Sequence, residues 1–483
     1  MLPLIIILLV SAGIFVPLFI LKNKIGIERL RLIAKIMAIA LFTLALIRLF
    51  LNDSFIWVIN GGTYGGIYYK TTDVWQSILR WGMTFAYIVY PCAIFFSLRT
   101  LKNFAVYFCF PMVILSSIFY NDFMSYFLQD SGRAMFAPEW LRHIEFSAEL
   151  ILMIVIPLFI RFIFGHKFDI KSRSEWLHFF GLLPLALIIV IPVTLPQSLF
   201  GYTKQFMNPL TVENFAWIGT IFAMLIILYL AFRFKNRETR YALCVFLALY
   251  LFYHYNSIYL MDMKLSRLPF QLCNLGSYLV LIALLIKKQG FFNFIFLANV
   301  PGALIAFCVP ETSEAMLSYW NIHFYIEHTW VFIIPILCVV LRIFERPAKN
   351  SIKHFVIGFS IYFVFCAISG IIINSFIAKP NDPVLNEVNY FYLFNTTVLE
   401  TLPMLGFTRL VPITINGYSF YPLYIAIIYL LYNVFCVVIT FVCKWLYKIG
   451  DERFIDRQIR IDLWEERGYY KKRKKIPSKF YED

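Results

Sequence analysis

The stretch Arg267 to Leu279, "RLPFQLCNLGSYL", sets Gln271, Cys273 and Asn274 into the first turns of a segment that otherwise reads as lipid-soluble helix. A free thiol is mostly protonated near neutral pH, and apolar burial disfavours its thiolate further. A neighbouring imidazole reverses this: by taking the proton it lets the sulfur attack an ester carbonyl and hold an acyl group before passing it on. His328, in "IEHTWVFIIP", is placed to be that imidazole. Counted from expected outer helix ends near Leu268 and His323, Cys273 and His328 both lie roughly five residues deep, about 7–8 Å at about 1.5 Å rise per residue. The Gln271 and Asn274 amides offer donors for the oxyanion formed during attack. Groups available to orient the imidazole are Glu327 and Tyr325 beside it and His254 and Asn256 towards the end of an earlier helix. The same residue types also serve structure. A buried Cys commonly packs as a small apolar residue, and polar side chains within spans form interhelical hydrogen bonds worth about 0.6–2 kcal/mol. His323 is expected at the interface, as are Glu145 and Glu149.

The elements that must position these residues are membrane spans. The 483-residue chain is 61% hydrophobic, 19% aromatic and only 15% charged, against roughly 45–50% apolar in soluble domains. Apolar runs of the about 20 residues needed to cross a bilayer recur from Leu2 almost to residue 447. The expected fold is therefore all-α, a polytopic membrane bundle of about 13 transmembrane helices. All 9 cysteines fall within apolar runs, which argues against a disulfide framework or a Cys-x-x-Cys metal site. No metal or other cofactor is expected.

The net charge of +15 does not point to nucleic acid, because the basic residues sit in short loops and a tail. Loops bearing Lys22 to Arg31, Arg99 and Lys102, Arg161 to Arg173, Arg233 to Arg240, Lys287 and Lys288, and Arg342 to Lys353 alternate with loops poor in Lys and Arg. The positive-inside rule then predicts a cell-membrane protein with its N-terminus outside and its C-terminus in the cytoplasm. The tail, residues 448–483, carries Lys471-Lys-Arg-Lys-Lys475. Such a run attracts anionic headgroups by roughly 1 kcal/mol per charge, or acts simply as a topology signal.

Trp-x-x-His followed by an apolar helix with Pro and an Arg-containing exit occurs twice, from Trp140 and from Trp320. This predicts a tandem six-helix repeat plus one extra N-terminal helix. The membrane halves are then 1–237 and 238–447, related as the parallel halves of some transporters are.

At "LPFQLCNLGSYL" the chain resembles the bacterial YwaF-like integral membrane proteins, related to the vertebrate transmembrane protein 164 acyltransferases. The resemblance spans about residues 240–447. A Leu-Pro-x-His-x-Cys signature maps onto Leu268, Pro269 and Cys273, with Gln271 where the family usually has His. The family's later His maps onto His328. Pro310-Glu311 and Asn389-Tyr390 match weaker features. The resemblance implies Cys273 as nucleophile and His328 as base in transferring acyl chains from a lipid acyl donor to a lysolipid acceptor. The first half offers no counterpart of Cys273.

Three function classes fit these residues. One is an acyltransferase or thioesterase-like enzyme acting on membrane lipid near the outer leaflet. The second is a small-solute or lipid transporter, suggested by paired halves. The third is a lipid-binding protein without turnover. The segment from about Ile377 to Gly417 is too long for a simple connection and too apolar for a solvated loop. It is expected to be re-entrant or surface-lying, shielded by protein.

Overall fold

The computed structural model describes residues 2–50, 74–120, 139–201, 208–260, 264–310, 315–347, 350–379, 385–394 and 403–442, with Asp382 and Leu399. The basic run Lys471–Lys475, Glu311 and most of residues 395–402 lie outside the described residues. Helices dominate: α1 (Leu2–Ile20), α2 (Ile27–Phe50), α3 (Val74–Phe95), α4 (Arg99–Ile118), α5 (Trp140–Ile163), α6 (Arg173–Ile189), α7 (Val212–Phe232), α8 (Arg237–Asn256), α9 (Leu272–Ile286), α10 (Gln289–Cys308), α11 (Tyr319–Val340), α12 (Ser351–Ile377) and α13 (Pro422–Val442). Among the described residues, 11 helices are long and apolar enough to cross a membrane. The two expected spans below that length are α6 and the short apolar α9. The protein is an all-α polytopic membrane protein.

Polar residues fix where helices begin. Ser172, Thr211, Asn236 and Ser318 each accept a hydrogen bond from the backbone N–H three residues on, opening α6, α7, α8 and α11. Two starts differ from the sequence expectation. The Ser318 cap begins α11 at Tyr319, ahead of His323. At the other site, Leu268 precedes Pro269 in extended backbone (ψ 147°) and α9 begins only at Leu272. Cys273 is thus in the first turn of α9, whereas His328 lies in the third turn of α11, and the equal depth counted from sequence does not carry over to helix bounds.

Packing follows one scheme twice. In the first half α2 packs on α3 and α5, α3 on α4 and α5, and α4 on α5 and α6. In the second, α8 packs on α9 and α11, α9 on α10 and α11, and α10 on α11 and α12. The preceding helix repeats as well, since α1 lies on α4 and α5 as α7 lies on α10 and α11. Helix α13 is seated differently: Tyr432 donates to Ala298 O at 2.7 Å and Tyr429 bonds Ser360 at 2.6 Å, so it rests on α10 and α12. The halves meet where α8 packs on α3 and α2.

Large apolar side chains face outward, as a lipid solvent requires: Ile357, Ile361, Val364 and Ile368 of α12 are exposed, as are Leu2, Ile5 and Leu9 of α1. Between α12 and α13 the chain forms a 3₁₀ turn at Tyr390–Tyr392, another at Pro403–Arg409, and the antiparallel hairpin of β1 (Ile413–Ile415) with β2 (Tyr418–Phe420). Asn416 and Gly417 take positive φ (48° and 84°), as a tight hairpin turn requires.

Candidate functional site

Gln271, Cys273, Asn274, His254, Asn256 and His323 lie towards the end of the bundle where α8 ends and α9 and α11 begin, while His328 is further along α11, and among the described residues no hydrogen bond or electrostatic interaction joins it to Cys273. Gln271 precedes α9 and is engaged on both sides of its amide: its Nε2 donates to Asn389 O at 3.0 Å, and its Oε1 accepts from Phe391 N at 2.8 Å. It therefore clamps the segment after α12. Asn389 Oδ1 accepts from Phe394 N at 2.9 Å, and buried Tyr390 donates its hydroxyl to Leu265 O and packs on Phe270 at 5.1 Å. Phe391 and Tyr392 are held at φ 52° and 58°, left-handed conformations that cost non-glycine residues energy unless their surroundings enforce them. The clamp drives the Phe391 ring in among Phe359, Tyr362, Phe363 and Tyr432, at 5.0–5.9 Å. Part of the expected re-entrant segment thus packs inside the bundle.

Cys273 is half-buried. Electrostatic interactions reach its thiol from Glu327, and reach from it to Tyr362 and Tyr432. Asn274 is half-buried and makes no side-chain hydrogen bond among the described residues. His328 is buried, with Nδ1 2.8 Å from Phe324 O and its ring 4.1 Å from that of Phe324. Because a carbonyl only accepts, Nδ1 carries the proton and the neutral ring presents Nε2 as its basic nitrogen. His254 and His323 stack at 4.5 Å, each with Nε2 3.2 Å from the other's carbonyl oxygen. By the same logic their Nδ1 atoms are acceptors, and His323 Nδ1 stands 3.9 Å from Glu327 Oε2. Asn256 accepts from the Tyr278 hydroxyl at 2.7 Å and donates to Phe252 O at 2.7 Å, which makes it a strut between α8 and α9. His323 is buried between helices, its helix starting a turn earlier than expected.

A second polar cluster lies in the first half. Arg48 of α2 donates to Glu149 of α5 at 3.1 Å and to the hydroxyls of Tyr87 and Tyr253 at 2.9 and 3.4 Å, while Tyr87 donates to Glu149 at 2.6 Å. Glu149 and Glu145, both expected near the membrane interface, are buried among the helices, because α5 begins by Trp140 and carries both inward. The sequence signal was available: ionisable residues within apolar spans are rare and mark function or pairing. Asn299, Ser277, Tyr362 and Tyr432, all near Cys273, were also missed, since nothing in their spacing distinguishes them from ordinary residues of a span.

Fold and site define a multi-pass membrane protein with polar clusters buried between its helices. Residues 206–440 match the model of the TMEM164 family, to which this part of the chain is similar. No curated protein and no solved structure matches the chain.

Proposed function

We propose that the second half is a YwaF-like unit that transfers acyl chains through a thioester on Cys273. The observation that supports this reading is a half-buried thiol in the first turn of α9, a helix that packs on α11, whose His328 presents Nε2 as its basic nitrogen because Nδ1 is held by Phe324 O. His328 Nε2 takes the thiol proton, the thiolate attacks the carbonyl of a lipid acyl donor, and the departing alkoxide takes the proton back. A lysolipid hydroxyl then attacks the thioester, returning the thiol. If water attacks instead, the enzyme is a thioesterase. On this reading the clamped segment at Asn389–Phe391 roofs the site, and the charge alternation supports an outer-leaflet position for that roof in the cell membrane and cytoplasmic anionic headgroups as partners of Lys471–Lys475.

We further read the chain as a duplication in which α1–α6 correspond to α7–α12, supported by the repeated packing pairs. On this reading the added helix is α13 rather than an N-terminal one.

The test is acyl labelling of the purified protein with clickable fatty acyl donors. A hydroxylamine-sensitive adduct is expected in wild type, absent from Cys273→Ala and lowered about 10²–10⁴-fold in rate by His328→Ala. Labelling indifferent to Cys273 would sink the reading. The second reading is transport, favoured by the buried Arg48–Glu149 pair near the junction of the halves. It gains ground if solute or lipid flux into proteoliposomes depends on Glu149 and not on Cys273.

A further inference from the structure

We propose that Asn299 of α10, aided by Ser277 of α9, is the donor site for the carbonyl oxygen of the acyl group that Cys273 accepts. This rests on the acyl-transfer reading and adds a catalytic residue to it. Helices α9 and α10 run antiparallel with two glycines at their contact. A Cβ at Gly302 would meet Leu272 Cδ2 at 3.5 Å, and one at Gly276 would meet Asn299 Nδ2 at 2.6 Å. The turn from Leu272 to Gly276 therefore lies along the turn from Gly302 to Asn299, and Cys273 is on it. Gly276 and Ser277 follow Cys273 by three and four residues, which puts them on its face of the helix.

Asn299 is fully buried, and among the described residues neither its Nδ2 nor its Oδ1 has a hydrogen-bond partner. Ser277 Oγ is also buried without one, as is Glu327 Oε1. Buried polar groups are nearly always paired, so an amide and a hydroxyl left open beside a thiol are suited to a polar ligand atom that arrives with substrate. The alternatives are worse placed: the Gln271 amide is used on both sides, and Asn274 points about a quarter turn away from Cys273. Tyr432, which donates to Ala298 O at 2.7 Å, steadies the α10 backbone next to Asn299. As the sulfur–carbon bond forms, the carbonyl π electrons move to oxygen, and the Asn299 Nδ2–H donates to that oxyanion. When the carbonyl re-forms, the bond to the donor's alkoxide or thiolate breaks and the leaving group takes the proton held by His328.

The experiment measures the rate of hydroxylamine-sensitive labelling of full-length protein by two probes, an alkyne-tagged fatty acyl-coenzyme A and an alkyne-tagged diacyl phospholipid. Alkylation of Cys273 by a small maleimide is followed in parallel. Asn299→Leu is expected to slow acylation about 10²–10³-fold, the effect of removing one oxyanion donor, with maleimide reaction unchanged. Gly276→Ala, which keeps Asn299 but displaces its amide, should slow acylation as well and serves if Asn299→Leu does not fold. Wild-type labelling rates in both variants would overturn the role of Asn299 and leave Cys273 acylation standing. Parallel loss of maleimide reaction would also overturn it, since Asn299 would then only hold α9 in place. No labelling of wild type by either probe would overturn the acyl-transfer reading, and this inference with it.

Discussion

Glu149 and Arg48 illustrate how one residue's worth depends on its partner. Both are buried, and each has the other within 3.1 Å. Removing one charge strands its partner in a low-dielectric interior at a cost of about 3–5 kcal/mol, while replacing both by apolar groups is often close to neutral. Glu149→Ala and Arg48→Met should each lower thermal stability in detergent sharply, and Arg48→Met with Glu149→Leu should recover much of the loss. A double variant as unstable as the singles would show that the Tyr87 and Tyr253 hydroxyls, not the charge pair, hold the cluster. At this scale the sequence disclosed residues whose chemistry is unusual for their surroundings, such as Cys273, His254 and His328. It did not disclose Asn299 or Ser277, because a single Asn or Ser in an apolar run acquires meaning only from the helix opposite. Gln271 stood out in the sequence as an amide donor for an oxyanion, whereas the structure has it holding Asn389 O and Phe391 N, partners distant in sequence that no periodicity links to it.

Elements were legible in existence and less so in their ends. Hydropathy located the helices because apolar length is what a bilayer selects, whereas the starts of α9 and α11 depend on a Pro and a Ser cap that shift each by about a turn. The Gln271 clamp is an element-scale device, joining the start of α9 to the segment after α12. Gln271→Leu should release that segment, costing about 1–3 kcal/mol for two backbone groups left unpaired, with faster hydrogen exchange over residues 388–394. Unchanged exchange would show that Asn374, which bonds Val388 N and O at 2.7 and 2.9 Å, suffices alone. The connection between α5 and α6 carries a pH dependence. Burial and the nearby Arg99 and Lys102 push His166 down to about 4, the neutral ring lying 2.7 Å from Asn103 Oδ1 through Nε2. An unfolded His takes a proton near pH 6.5. The stability from this contact is therefore complete above about pH 6.5 and is lost as the pH falls towards 4. Thermal melts at pH 7.5 and 5 should differ more in wild type than in His166→Gln; an equal difference would place the pH response elsewhere.

On the scale of the whole molecule, the Trp-x-x-His match suggests two halves, and under the proposed duplication it is contacts that assign each helix to one of them. Helix α7 precedes the notional boundary at residue 237, yet its Trp217 donates to Thr329 at 3.2 Å and packs on Phe307 and Tyr325 at 5.1 and 4.4 Å, while Asn214 donates to Phe307 O at 2.9 Å. These contacts tie α7 to α10 and α11. Between the halves, Arg48 reaches Tyr253, Tyr250 donates to Ile191 O at 2.9 Å, and Phe85 meets Phe246 at 6.3 Å. A chain split between Gly201 and Asn208 keeps the α7 contacts with α10 and α11 within one fragment and leaves the interface between halves to re-form. A split after Arg237 tears α7 from α11 and strands the Asn214 amide and the Trp217 N–H without their partners. Co-expressed fragments cut at the first position are expected to co-purify as a monodisperse species in detergent, and those cut at the second to yield markedly less complex, read by size exclusion of a fluorescently tagged fragment. Equal recovery from the two cuts would mean that α7 is held no more firmly by the second half than by the first, and the correspondence of α7 with α1 would have to be given up.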